Sequence, residues 1–149
     1  MILLIVTAIL FFDRLTKIFF TSALATGDSV PVIKGFLNFT LVNNRGAAFG
    51  MLRDQVPFFI LVSVIAVIFI LFHLKKAGSL EKAALALILA GAVGNLIDRV
   101  LLGYVIDFID IHIGSYFYWP VFNVADTAIT AGACMLGWLL LRPAVPVKK

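Results

Sequence analysis

The chain has 149 residues, of which 62% are hydrophobic and only 13% charged, with a formal net charge of +4 and a mean hydropathy of +1.10. A water-soluble domain of this length needs far more polar surface, so the composition points to an integral membrane protein. At about 20 residues per helical span, there is room for four spans and two modest connections but none for a separate soluble catalytic domain. Any site has to be built from the spans and their links.

Four apolar windows, about 1–20, 57–74, 83–102 and 121–141, are predicted to be the transmembrane helices of a single all-α integral membrane domain. An even number of spans puts both termini on the side of the short 75–82 link. That side carries Lys75, Lys76, Lys82, Arg142, Lys148 and Lys149 against Glu81 alone, so the positive-inside rule makes it cytoplasmic. The connections at about 21–56 and 103–120 then face outward. The basic excess is a topology signal and implies no nucleic-acid partner.

The first span carries Asp13 and Lys17 one turn apart, acid first, the favourable order for an i,i+4 pair. One reading is a helix-end ion pair that snorkels to the interface; the other is a structural support beneath an outer-leaflet site. Ala23-Leu24-Ala25 imitates a secretory cleavage site. No basic stretch precedes the apolar run, however, and Asp13, Arg14 and Lys17 interrupt it, so the first helix is predicted to be retained.

Beyond Gly27, β-branched and aromatic residues alternate loosely with polar ones, predicting a small extracytoplasmic β-sheet over about 30–53. Gly35 is its turn, and Pro31 argues for an edge strand. The small residues of Asn44-Arg45-Gly46-Ala47-Ala48-Phe49-Gly50 allow another chain's backbone to come close. The second span is almost wholly apolar, with Ser63 its mid-span polar group and His73 marking its cytoplasmic end.

In the third span, Gly91, Gly94, Asn95, Asp98 and Arg99 recur at spacings of three and four and share a helix face. Glycines there permit close helix contact while the polar groups face the bundle. The 103–120 segment is predicted to be an interfacial loop or helix and holds Asp107, Asp110 and His112. A metal site from those three lacks a clear further ligand set, and no metal is predicted. The fourth span places Asn123, Asp126 and Thr130 on one face, with Asp126 about 8 Å below the start of the span. Cys134, the sole cysteine, excludes an intrachain disulfide and is predicted to be a packed apolar thiol.

Ionisable groups at membrane depth cost several kcal/mol and usually mark function. If Asp107 folds toward Asp126, the two carboxylates share one proton and titrate as a coupled pair. One can then draw a proton from water attacking a carbonyl carbon while the other protonates the carbonyl oxygen. Asn44, Asn95 and Asn123 can hold a peptide backbone, and Arg99 can donate to its carbonyls. Two other classes stay open on these grounds: a small proton- or ion-coupled transporter, and a non-enzymatic membrane assembly factor whose acids merely pair with Arg99 and Lys17. Polar groups gathered near the outer end, with no internal repeat, argue against the transporter.

Five elements in order resemble the bacterial lipoprotein signal peptidase (signal peptidase II) family: Asp13-Arg14-Leu15-Thr16-Lys17, Asn44-Arg45-Gly46-Ala47-Ala48-Phe49-Gly50, Gly91 to Arg99, Val105-Ile106-Asp107-Phe108, and Phe122-Asn123-Val124-Ala125-Asp126. Each alone is weak; together they are specific. Two departures stand out. Ala90-Gly91 replaces the family's frequent Gly-Gly pair, and the chain starts almost directly in its first helix, without a basic leader.

The resemblance implies an intramembrane-type aspartic endopeptidase. It would remove the signal peptide from diacylglyceryl-modified prolipoproteins on the amino side of the lipidated cysteine, at the outer face of the bacterial cytoplasmic (inner) membrane. By motif position, Asp107 and Asp126 are the catalytic pair. Asn44, Gly46, Asn95, Arg99 and Asn123 belong to the substrate site, and Asp13, Lys17 and Asp98 to its structural support. Membrane lipids and globomycin-type cyclic peptide inhibitors are the other implied partners, and no cofactor is implied.

Overall fold

The computed structural model describes residues 1–46 and 51–142. Ala47, Ala48, Phe49 and Gly50 of the predicted small-residue element, and the terminal Lys148 and Lys149, lie outside the described residues. The order of elements is α1 (Ile2–Ala23), β1 (Ser29–Ile33), β2 (Leu37–Asn44), α2 (Val56–Leu74), α3 (Ser79–Leu102), β3 (Val105–Ile113), β4 (Phe117–Tyr118) and α4 (Val124–Leu141). The end of α1, the start of α2, the end of α3 and the start of α4 all border sheet strands, so the sheet sits at one end of the bundle. The 75–78 link lies at the other end.

By length and composition, α2, α3 and α4 can each cross a membrane. Helix α1 is as long, at 22 residues, but includes Asp13, Arg14 and Lys17. Helix α3 is central, packing against the other three helices, whereas α2 packs mainly on α3. Its termini are set by local chemistry. Glu81 accepts the Gly78 N–H at 3.2 Å, and Gly103, at φ +77°, closes the helix by donating to the Arg99 carbonyl. Helices α3 and α4 run antiparallel in very close contact. A Cβ on Gly91 would lie 2.2 Å from the Ala125 carbonyl oxygen, and one on Gly132 would lie 2.6 Å from that of Ala84. Ala90, the departure from the double glycine, is wholly buried, so its methyl is accommodated in this packing.

The sheet is antiparallel in the order β1-β2-β3-β4, with Pro31 on the edge strand β1 and Gly35 at φ +78° between β1 and β2. Phe20 of α1 stacks on Phe108 of β3 at 4.3 Å between centroids and packs with Leu41 and Ile106, which seats the sheet on the bundle.

Three expectations need correction. The 103–120 segment, read as an interfacial loop or helix, is largely strand. Val105–Ile111 pairs with β2, with a register shift between Phe39 and Val42, and His112 and Ile113 pair with β4. Also, α4 begins at Val124 rather than near 121, because Phe122 still pairs with Ile109 of β3. Asp126 therefore lies in the first helical turn, about 3 Å along the axis, instead of about 8 Å down a span. Cys134, expected to be packed, is exposed on the outer side of α4.

Candidate active site

The site grows from the start of α4. Asn123 caps the helix: its Oδ1 accepts the Asp126 N–H at 2.9 Å, and Asp126 Oδ2 accepts the Asn123 N–H at 3.2 Å. This reciprocal cap fixes the Asp126 carboxylate beside the helix start. The Asn123 amide then reaches across to β3, donating to Asp107 Oδ1 at 2.7 Å. One residue is thus bonded to both carboxylates. Asn44 of β2 donates to the other Asp107 oxygen at 2.9 Å, and its own carbonyl accepts the Gly46 N–H at 2.9 Å. Asn95 of α3 donates to Asp126 Oδ1 at 2.7 Å.

Behind this lies a charged cluster. Lys17 is 0% exposed; its ammonium meets Asp13 and Asp98 at 2.8 Å each and Asn95 Oδ1 at 3.2 Å. Three acceptors match the three N–H donors of an ammonium. Asp13 also accepts the Ala125 N–H at 2.9 Å, tying α1 to the start of α4, and Asp98 pairs with Arg14 at 3.2 Å. Asp98 further accepts the Ile106 N–H of β3. The i,i+4 pairing expected of Asp13 and Lys17 is present, but the pair points into the bundle and does not snorkel.

Asp107 and Asp126 both line a cavity of about 720 Å³, together with Asn44, Gly46, Asn95 and Arg99. Its apolar walls come from the sheet (Phe36, Phe117) and from α4 (Ile129). Asn123 itself is fully buried behind the two carboxylates. Arg99 lies over the Phe59 ring of α2, 5.2 Å from its centroid. Burial, and then the neighbouring charge of Asp126, push the Asp107 carboxyl up to about 7, against the opposing pull of the Asn44 and Asn123 hydrogen bonds and of Lys17. A carboxyl group so placed can hold and release a proton near neutrality.

The other acid of β3 stands apart. Asp110 and His112 share strand parity with each other but not with Asp107, and Thr40 donates to Asp110 at 2.8 Å. Among the described residues, no three His, Cys, Asp or Glu side chains group so as to hold a metal ion. Sequence reasoning missed the roles of Arg14, a cation adjacent to Asp13, and of the Ile106 backbone. Arg14 could have been suspected as a third charge within an apolar helix; the backbone contact left no trace in the sequence.

Fold and site together define a small helical membrane protein with two carboxylates joined by an asparagine beside one cavity. Residues 5–142 match the model of the family described as signal peptidase (SPase) II, and the chain belongs to that family. It is therefore a peptidase of a bacterial membrane enzyme family. A lipoprotein signal peptidase of Caldanaerobacter subterraneus subsp. tengcongensis is 47% identical over 143 residues, covering 95% of this chain and 96% of that protein. One of Geobacter sulfurreducens is 47% identical over 144 residues, covering 93% and 89%. Two structures described as a bacterial membrane enzyme by the in meso method are also similar. One has a TM-score of 0.89 at 36% identity, covering 99% of this chain and 94% of the other; the second has 0.85 at 38%, covering 96% and 94%.

Proposed function

We propose that this peptidase removes the signal peptide from diacylglyceryl-modified prolipoproteins, cutting on the amino side of the lipidated cysteine, with Asp107 and Asp126 as its catalytic pair. The observation that carries this reading is the single asparagine bonded to both carboxylates at the edge of one cavity. The pair holds one proton between its members. One carboxylate takes a proton from the attacking water while the other protonates the scissile carbonyl oxygen, and breakdown of the tetrahedral intermediate returns a proton to the leaving amine. No covalent enzyme intermediate is needed. Arg99, which lines the cavity, donates to substrate carbonyls, and Asn44 and Gly46 hold the peptide backbone beside β2. Globomycin-type cyclic peptides occupy the same cavity.

All four helices cross the membrane in this reading. Helix α1 turns Asp13 and Lys17 inward and leaves Leu4, Phe11, Leu15 and Ile18 exposed, a face suited to lipid. Its 22 residues reach about 33 Å, enough for the hydrocarbon core. With the basic 75–82 link cytoplasmic, both termini are cytoplasmic and the sheet and site are extracytoplasmic. A lipid-anchored precursor then brings its scissile bond to the level of Asp126.

The test uses purified Asp107→Asn and Asp126→Asn variants on a lipidated precursor. Each should lose roughly 10²–10⁴-fold or more in turnover while unfolding at a temperature close to that of the parent or above it. Near-normal turnover by either variant removes that residue from the chemistry. Turnover of the parent should persist in a chelator.

A further inference from the structure

We infer that Lys17 is a positioning residue for the reaction, fixing which way the Asn95 amide points and so holding an N–H donor on Asp126. This rests on the catalytic-pair reading above. Lys17 does not line the cavity and is wholly buried. Two of its three protons go to Asp13 and Asp98 and the third to Asn95 Oδ1.

An amide carbonyl that accepts from an ammonium cannot exchange places with its own NH2 without losing that bond and setting two donors against each other. Asn95 is therefore locked with Nδ2 toward Asp126. The same Asn95 oxygen accepts from Asn123 Nδ2 at 3.0 Å, and the Asp126 N–H and the Ile106 carbonyl orient that second amide from the backbone. Asn123 is held with its NH2 toward Asp107 and its oxygen on the Asp126 N–H. The charged groups around this relay are Asp13 and Arg14 of α1, Asp98 and Arg99 of α3, Asp107 of β3 and Asp126 of α4.

Removing the ammonium has two effects of the same sign. It takes a positive charge away from the pair, and it removes the charged one of the two donors that hold the Asn95 oxygen away from Asp126. Both favour retention of the shared proton, so the alkaline limb of the activity profile moves upward.

The test measures kcat, KM and the pH profile of Lys17→Met and of Asp13→Asn/Lys17→Met, with Asp107→Asn alongside. The double variant keeps the charge of the Asp13, Arg14, Lys17 and Asp98 cluster balanced, and Asn at position 13 still offers an oxygen to the Ala125 N–H. The expected result is kcat reduced on the order of 10²-fold, KM within about two-fold, and an alkaline limb displaced upward by about one pH unit. A merely structural role lowers activity in proportion to the folded fraction, which falls as pH rises, and so does not move the alkaline limb upward. A folded double variant whose limb stays in place, or whose kcat matches the parent, overturns the inference. If Asp107→Asn also turns over normally, the catalytic-pair reading has failed; if it is inactive, only the role of Lys17 has.

Discussion

Gly91→Ala tests whether the chemistry depends on how closely α3 and α4 approach. The added Cβ would lie 2.2 Å from the Ala125 carbonyl oxygen and 2.6 Å from Ile129 Cγ1. The side-chain contact can yield by rotation, but the carbonyl belongs to the first turn of α4 and cannot. Restoring an ordinary contact of 3.4 Å requires the helices to separate by about 1.2 Å at that level. One turn further along α3 is Asn95, and next to Ala125 is Asp126. The same displacement stretches their 2.7 Å hydrogen bond toward about 3.9 Å, beyond bonding range. Overpacking of this kind costs about 1–3 kcal/mol in stability, and a misplacement of about 1 Å costs on the order of 10²-fold in rate. The assay is cleavage of a lipidated precursor alongside thermal unfolding in the same detergent. Gly137→Ala is the control, since a Cβ there meets nothing within 4 Å. If Gly91→Ala cleaves at the parental rate, the tight α3–α4 contact does not set the site geometry and the reasoning fails.

Two further outcomes concern the carboxylates and their cap. The Asp107 carboxyl, raised from 3.8 to about 7, is held more readily as the acid in the folded protein than in the unfolded chain. Its stabilising contribution is thus complete below about pH 4 and lost as pH rises through about 7. Unfolding followed at pH 5 and pH 8 should show the parent less stable at pH 8 by a few kcal/mol at most. Asp107→Asn should flatten that difference, and an unchanged pH dependence would show that Asp107 is not the titrating group. Asn123→Ala removes both the α4 cap, worth about 1 kcal/mol, and a charge-assisted hydrogen bond to Asp107, worth about 1.5–3 kcal/mol. It should lower the unfolding temperature by several degrees and turnover by at least about 10²-fold; turnover within a few-fold of the parent counts against the bridging role of Asn123.

The sequence made the helices legible because each has a long apolar run, and it made the α3 polar face legible because Gly91, Gly94, Asn95 and Asp98 recur at helical spacing. It was misleading at 103–120. There, acids and a histidine interrupt the apolar residues, and the segment read as irregular because Asp107 and Asp110, three residues apart, break the period of two. Asp107 turns to the cavity, whereas Asp110 and His112 fall on positions of the other parity. The pairing of Phe122 with Ile109 was equally hidden, since a register between distant strands leaves no local pattern, and this displaced the start of α4. The inward direction of Lys17 was open for a similar reason. An i,i+4 pair looks the same in sequence whether it faces lipid headgroups or the acceptors that α3 supplies.

Four buried or nearly buried carboxylates lie close together here, and their hydrogen-bond partners separate them into two kinds. Asp13 and Asp98 are met by cations: Lys17 lies between them and Arg14 reaches Asp98, so charge is matched by charge within the bundle. Asp107 and Asp126 are bonded to neutral donors only, the amides of Asn44, Asn95 and Asn123 and one backbone N–H. Amides orient a carboxylate without neutralising it. Two such groups beside one cavity relieve their mutual repulsion most readily by sharing a proton, which is the state that activates water on one side and protonates a carbonyl on the other. Lys17 is held one layer back, where Asn95 conveys its position to the pair without a direct ion pair to either member, and Arg99, the cation lining the cavity, lies over the Phe59 ring.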